Sequence, residues 1–285
     1  MEKTTQNSYH THISSKHNAL ELKLDEVWRY RDLILLFTKR NFVVRYKQTV
    51  LGPAWILLNP LFSSIIYAIV FGGIAKIGTE GIPTILFYLC SNAIWLFFAT
   101  CVTTNAQTFT NNADVFGKVY FPRLTMPISN MLSAGIHFCV QMLLVLGFLG
   151  FYLVQGAVHP NWAAWLLIPV VLLHLGMLGL GCGIIVSSLT TKYRDLAILV
   201  DFAMQLWMYA TPVVYPLSTL EPGWIRTILL INPVTAPVEF FRYAILGQGS
   251  ILPGVLVLSW AITIVVMLIG IVIFNKVERT FMDTV

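Results

Sequence analysis

Six apolar stretches, each close to the length of a bilayer crossing, occupy about half of this 285-residue chain. They run over 54–75, 82–104, 127–152, 162–188, 198–216 and 252–275. A helix needs roughly 20 apolar residues to cross the hydrocarbon. In lipid the backbone polar groups have to be satisfied within the segment, so runs of this length are helices. The expected fold is an all-α membrane protein with six transmembrane helices, the fifth being the shortest. Charge agrees, since only 11% of the residues are charged, against about 25% in soluble domains.

The first 53 residues hold no apolar signal segment with a cleavage site after it, so the amino terminus is expected inside. Of the 18 Lys and Arg residues, all but Lys76, Arg226 and Arg242 then fall on inner segments. That bias is the positive-inside pattern, and it predicts both termini in the cytoplasm. Between the fifth and sixth spans, residues 223–232 and 235–246 are apolar but too short to cross. Pro222, Pro233 and Pro237 punctuate them. Residues 217–251 therefore read as a re-entrant helical hairpin on the outer face.

Residues 1–24 are polar, with His10, His12 and His17 among Ser, Thr and Asn, the composition of a disordered cytoplasmic tail. Residues 25–47 predict an amphipathic helix. Val27, Tyr30, Leu33, Ile34, Phe37 and Val44 share one arc, and Arg29, Asp32, Lys39, Arg40 and Lys47 lie mostly opposite. Such a helix lies along a membrane surface with its cations toward anionic headgroups. A loop to residue 53 completes this interface unit, and residues 276–285 form a cytoplasmic tail.

No phosphate-binding loop occurs, since Gly117-Lys118 lacks both the upstream Gly and the following hydroxyl. H-E-x-x-H, G-x-S-x-G and a carboxylate pair within a span are also missing. The chain reads as a conduit driven by another polypeptide: a non-catalytic subunit with no cofactor, no metal site and no nucleic-acid partner. Cys90, Cys101, Cys139 and Cys182 sit in apolar spans without metal-ligand spacing and read as small buried hydrophobes.

Several spans carry polar or aromatic stripes at helical spacing. They comprise Asn59, Ser63, Tyr67 and Phe71; Tyr88, Asn92 and Trp95; Asn130, Ser133, His137 and Gln141; and Asp201, Gln205 and Tyr209. Polar groups in lipid seek an interior, either as helix-to-helix contacts or around water. Aromatic faces with nearby amides also suit a sugar, so a pore and ordinary helix packing both remain open readings. Gly179 and Gly183 form a G-x-x-x-G expected to pack helices within the chain. His174 reads as a satisfied packing residue. Two short inner loops, Asn111–Pro127 and Thr190–Asp195, set aromatics beside cations, a composition favoured at interfaces.

The stretch Arg45-Tyr46-Lys47-Gln48-Thr49-Val50-Leu51-Gly52-Pro53-Ala54-Trp55 is where the polar chain turns apolar. Taken with Phe121-Pro122-Arg123, Tyr193-Arg194-Asp195-Leu196, Thr211-Pro212-Val213-Val214-Tyr215-Pro216 and Ile231-Asn232-Pro233, it resembles the membrane subunit of type-2 ABC exporters for bacterial polysaccharides. O-antigen, capsule and teichoic acid exporters all belong there. The resemblance covers about residues 25–285. It implies a multi-pass protein of the bacterial inner membrane that pairs with a second copy of itself and with two ABC subunits holding ATP and Mg. It implies an undecaprenyl-pyrophosphate-linked glycan as cargo, O-antigen foremost, with Arg45 and Lys47 at the pyrophosphate.

The same resemblance assigns channel lining to Asn59, Ser63, Tyr67, Phe71, Tyr88, Asn92, Trp95, Gln205 and Tyr209. Coupling to the ATPase falls to Phe116, Lys118, Arg123, Tyr193, Arg194 and Asp195. An exit gate falls to Trp224, Arg226, Glu239 and Arg242. Two other readings are an exporter of small hydrophobic drugs or lipids and a membrane-embedded transferase. The scatter of His137, His174 and Asp201 over different depths weighs against the second.

Overall fold

The computed structural model describes residues 24–119, 121–191, 193 and 195–284, without the side chains of Leu24 and of residues 278–284. The expected amino-terminal tail, together with Tyr120, Lys192 and Arg194, lies outside the described residues. Among those described, every regular element is helical.

Helices α1 (Leu24–Arg29) and α2 (Arg31–Tyr46) open the chain. A 3-10 turn at Gly52–Ala54, with Pro53 supplying its fixed φ, leads into α3 (Trp55–Tyr67), which continues as a π-helical segment over Ala68–Ile74. Then come α4 (Thr84–Ala106), the short α5 (Thr108–Asn111) and α6 (Ala113–Phe116), α7 (Thr125–Val154), α8 (Trp162–Trp165) and α9 (Ile168–Thr190). The chain ends with α10 (Leu196–Tyr209), α11 (Trp224–Ile231), α12 (Thr235–Leu246) and α13 (Pro253–Thr284).

Among the described residues, five helical segments are long and apolar enough to cross a bilayer, Gly52–Ile74, Thr84–Ala106, Thr125–Val154, Ile168–Thr190 and Pro253–Val277, and the bent pair Trp224–Ile231 with Thr235–Leu246 makes six if it is one broken span. The helix α4 forms the centre, with 78% of its apolar window buried, followed by α9 at 61%; the other three reach 17–22%. Lipid is as apolar as leucine, so this centre is held by close backbone approach rather than by escape from water. Glycine permits that approach on two faces of α9. A Cβ on Gly179 would fall 2.6 Å from the Cβ of Cys101, and one on Gly183 would meet Asn105 and the Val102 carbonyl. On the other side, Gly181 lies under Met267 and Gly270 of α13 lies over the Gly181 carbonyl. The expected G-x-x-x-G therefore packs within the chain, between α9 and α4.

A polar node joins α9 to α13. His174 Nε2 is 2.9 Å from Thr263 Oγ1 and 3.1 Å from Ser259 Oγ, and its ring stacks on Trp260 at 4.2 Å. Ser259 also donates to the Pro233 carbonyl, tying α13 to the hairpin. His174 thus packs between the helices as expected through Nε2, but it is not fully satisfied, because its buried Nδ1 finds no partner among the described residues.

The structure differs from expectation in several places. The fifth span stops at Tyr209 instead of 216. Pro212 lacks an N–H and disfavours helical backbone at Thr211, so the helix cannot pass it. At 14 residues, α10 is about 21 Å long, short of a roughly 30 Å core. Helices α11 and α12 meet at an 84° bend at Asn232–Val234, in keeping with a re-entrant hairpin. The fourth span starts later than expected, because α8 is a separate turn and Pro169 begins α9 anew. The carboxy-terminal tail is helical, continuing α13 to Thr284. The interface helix breaks at Tyr30, and Val44 lies exposed instead of joining the buried face of Ile34 and Phe37. Cys139 is exposed, whereas Cys90 and Cys101 are buried as expected.

Candidate functional site

A polar cleft of about 590 Å³ opens between α2, the end of α4, the start of α7 and the start of α10. Helical spacing builds each wall. From α2, Arg40, Asn41, Val44 and Arg45 face it; from α4, Thr100, Thr103 and Thr104; from α7, Asn130, Ser133 and His137. Gln107, Asn111 and Asn112 close the end, and Asp201 contributes from α10.

The walls are cross-linked by amides. Arg40 Nη2 donates to the carboxamide oxygens of Asn41 at 3.1 Å and Asn112 at 3.3 Å. The Asn41 amide donates to Asn130 Oδ1 at 3.0 Å, and the Asn130 amide reaches Asn105 Oδ1 at 3.3 Å and Thr108 Oγ1 at 3.4 Å. The Arg40 guanidinium also lies over the Phe37 ring at 4.7 Å. Its partial burial lowers its affinity for a proton, yet an arginine keeps its charge under such conditions.

Arg45 is exposed at the rim, beside Tyr46. Burial pushes the Tyr46 phenol above its ordinary value, and the neighbouring guanidinium partly opposes that shift. Lys47, the other expected headgroup residue, is exposed and does not line the cleft. It caps α2 with extended backbone, and Gln48 at φ +71° turns the chain toward α3. The His137 ring sits 5.6 Å from both Phe42 and Tyr46, and among the described residues neither of its nitrogens bonds another side chain.

The expected channel residues divide into two groups. Tyr67, Phe71 and Tyr88 form one aromatic cluster with centroids 6.0–6.4 Å apart. Tyr88, Asn92 and Trp95 are buried inside this single copy. Asn59, Gln205 and Tyr209 are exposed, and Ser63 is partly so. The Tyr67 hydroxyl lies 3.6 Å from the Met208 sulfur, which sets α3 beside α10.

In the hairpin of α11 and α12, Glu239 and Arg242 are buried and paired with each other. Arg242 donates to the Pro212 carbonyl at 2.8 Å and stacks over Phe87 at 4.7 Å. Glu239 accepts from the backbone N–H groups of Leu217 at 3.3 Å and Ser250 at 3.4 Å. The pair therefore clasps the segment that follows α10 against α12 and α4. Trp224 is exposed, and Arg226 reaches the Leu220 carbonyl at 3.5 Å.

Among the expected coupling residues, Phe116 is buried 5.6 Å from Phe121, which itself lies 5.6 Å from Phe37 of α2. Arg123 lies over Phe116 at 5.7 Å. Lys118, Tyr193 and Asp195 are exposed. The loop before α7 is thus packed directly under the interface helix.

Sequence reasoning did not single out Arg40, Asn41, Thr103, Thr104, Gln107 or Asn112 as site residues. The run Thr100-Cys101-Val102-Thr103-Thr104-Asn105-Ala106-Gln107 is a visible signal, a polar face at the carboxy-terminal end of an otherwise apolar span. Its partner wall on α7 is set only by tertiary packing.

Residues 32–246 match the sequence family described as ABC-2 type transporter. The chain is 29% identical over 257 residues to an O-antigen export system permease protein RfbA of Klebsiella pneumoniae, covering 88% of this chain and 94% of the relative. It is 28% identical over 221 residues to a protein of the same description from Myxococcus xanthus, covering 76% of this chain and 81% of that one.

Proposed function

The chain belongs to the ABC-2 type transporter family, and from that premise we propose that it is the membrane-spanning subunit of an ATP-driven exporter of O-antigen. The cargo is undecaprenyl-pyrophosphate-linked polysaccharide, and the membrane is the bacterial inner membrane with both termini in the cytoplasm. ATP and Mg are held by two separate ABC subunits, and this chain is non-catalytic.

The observation that carries the reading is the cationic, amide-lined cleft at the point where the interface helix meets the spans. Arg45 stands free of any carboxylate among the described residues, at the rim of that cleft. A guanidinium presents a planar set of donors that matches a phosphate. Lys47 adds a second cation just outside.

The exposed side chains on α3 and α10 support a second copy. Asn59 and Gln205 would each be costly against hydrocarbon, so another protein surface or water is their natural neighbour. Two copies meeting over these faces would bring Ser63, Tyr67, Phe71 and Tyr209 around one passage, with the Tyr88, Asn92 and Trp95 face behind it. Aromatics and amides suit a glycan there. The loop holding Phe116, Lys118 and Arg123, with Tyr193, Arg194 and Asp195, would receive rigid-body motion from the ATPase and pass it to α2 through Phe121 and Phe37. The hairpin bearing Trp224, Arg226 and the Glu239–Arg242 clasp would form the outer gate.

The test is Arg45→Ala in cells. Surface glycan should fall several-fold while the subunit still co-purifies with its ATPase. Normal surface glycan in that variant would remove Arg45 from the headgroup site.

A further inference from the structure

The cleft offers more hydrogen-bonding groups than a phosphate needs. A phosphate calls for donors, whereas carboxamides and hydroxyls both donate and accept. That dual character fits the hydroxyls of a sugar. Its volume of about 590 Å³ lies within the range of roughly 300–1,000 Å³ that holds a small ligand.

One side chain points to an occupant directly. His137 is only 8% exposed and lines the cleft, and among the described residues neither ring nitrogen bonds another side chain. The Ser133 backbone one turn back is the partner the chain offers the ring, which serves one nitrogen and leaves the other open to a ligand. Phe42 and Tyr46 flank the ring and give an apolar surface beside it. Across the cleft, Asp201 can accept hydroxyl protons and would disfavour further anions beyond one headgroup.

We propose that this cleft seats the first sugar attached to the pyrophosphate, so that the transporter reads the reducing-end residue of its glycan as well as the lipid headgroup. The inference rests on the headgroup role of Arg45. With the phosphate at Arg45 on the rim, the adjoining ring falls among Asn130, Thr103 and His137 inside. Polymer length and outer sugars would then matter little at this step.

The experiment uses the full transporter with its ATPase subunits in lipid nanodiscs. Two probes are compared: a short prenyl diphosphate, and the same molecule carrying one N-acetylhexosamine. The native complex should bind the glycosylated probe at least tenfold more tightly. His137→Phe should reduce that preference below threefold, and His137→Gln should retain part of it. The phenyl ring keeps the contacts with Phe42 and Tyr46 and gives up only the local bond to the Ser133 backbone, so the fold survives; co-purification with the ATPase checks this. Equal binding of both probes by the native complex would overturn the sugar subsite and leave the headgroup reading standing. A preference unchanged in His137→Phe would do the same. Failure to bind either probe would overturn both. Displacement of the glycosylated probe by an equal concentration of phosphatidylglycerol would identify the cleft as a phospholipid site and overturn the proposal.

Discussion

The side-chain amide of Asn41 donates to the carboxamide oxygen of Asn130 at 3.0 Å, joining the amino-terminal helix α2 to the membrane helix α7. The Asn130 amide in turn contacts Asn105 and Thr108, so the link extends to α4 and α5. Side chains therefore tie α2 to the central helix in addition to the backbone.

Asn41→Leu should loosen α2 without unfolding the bundle. Hydrogen bonds between membrane helices contribute about 0.6 kcal/mol on average, so the global loss should stay near 1 kcal/mol. Hydrogen exchange of α2 amides should accelerate several-fold while that of α4 stays protected. Unchanged α2 exchange would mean that the amide network does not hold the helix.

The Glu239–Arg242 pair should behave as a buried clasp. Arg242→Met alone leaves a buried carboxylate with backbone donors only, and breaking such a pair costs about 3–5 kcal/mol. Thermal unfolding of the purified subunit should show a large loss for this variant. The double variant Glu239→Leu/Arg242→Met should regain a substantial part of it. Equal losses for single and double variants would point to the Pro212 and Phe87 contacts as the dominant contribution.

Gly183→Ala should damage the α4–α9 contact, because the added methyl meets Asn105 and the backbone oxygen of Val102 at 2.9 Å. Overpacking of this kind costs about 1–3 kcal/mol. Gly135→Ala on α7, where no heavy atom lies within 4 Å, should be tolerated. Comparable folded yields for the two variants would refute the close-approach account.

Much of this fold is legible from pattern alone. Long apolar runs, Pro53 and Pro169 at helix starts, and the Gly179–Gly183 spacing each state a local rule that the structure obeys. Orientation toward lipid or protein is not local. Cys139 and Val44 look like their buried neighbours in composition, and only packing decides that they are exposed. Arg242 lay on an outer segment by charge counting, yet a carboxylate one turn away and the Pro212 carbonyl let it bury completely. For the cleft, Arg45 stood out as a cation at the bilayer edge. Arg40 and Asn112 did not, because residues 72 positions apart meet only after folding.

Tyr46 gives a prediction in alkaline solution. Its phenol is held above the ordinary value by burial, so the folded state binds the proton more firmly than the unfolded chain does. The resulting stability is fully present below the unfolded value near 10. It declines as pH rises through the higher folded value. Tyr46→Phe should flatten that alkaline decline in a pH series of thermal unfolding. A slope identical to the native one would assign it to other groups.

The central claim is that this chain carries a lipid-linked glycan from one leaflet to the other. Its most direct test is to delete the gene and measure lipid-linked glycan on each face of the inner membrane, with the native gene restored as control. Accumulation on the cytoplasmic face, with none reaching the outer face until restoration, is the predicted result. Undiminished glycan on the outer face of the deletion strain would contradict the account.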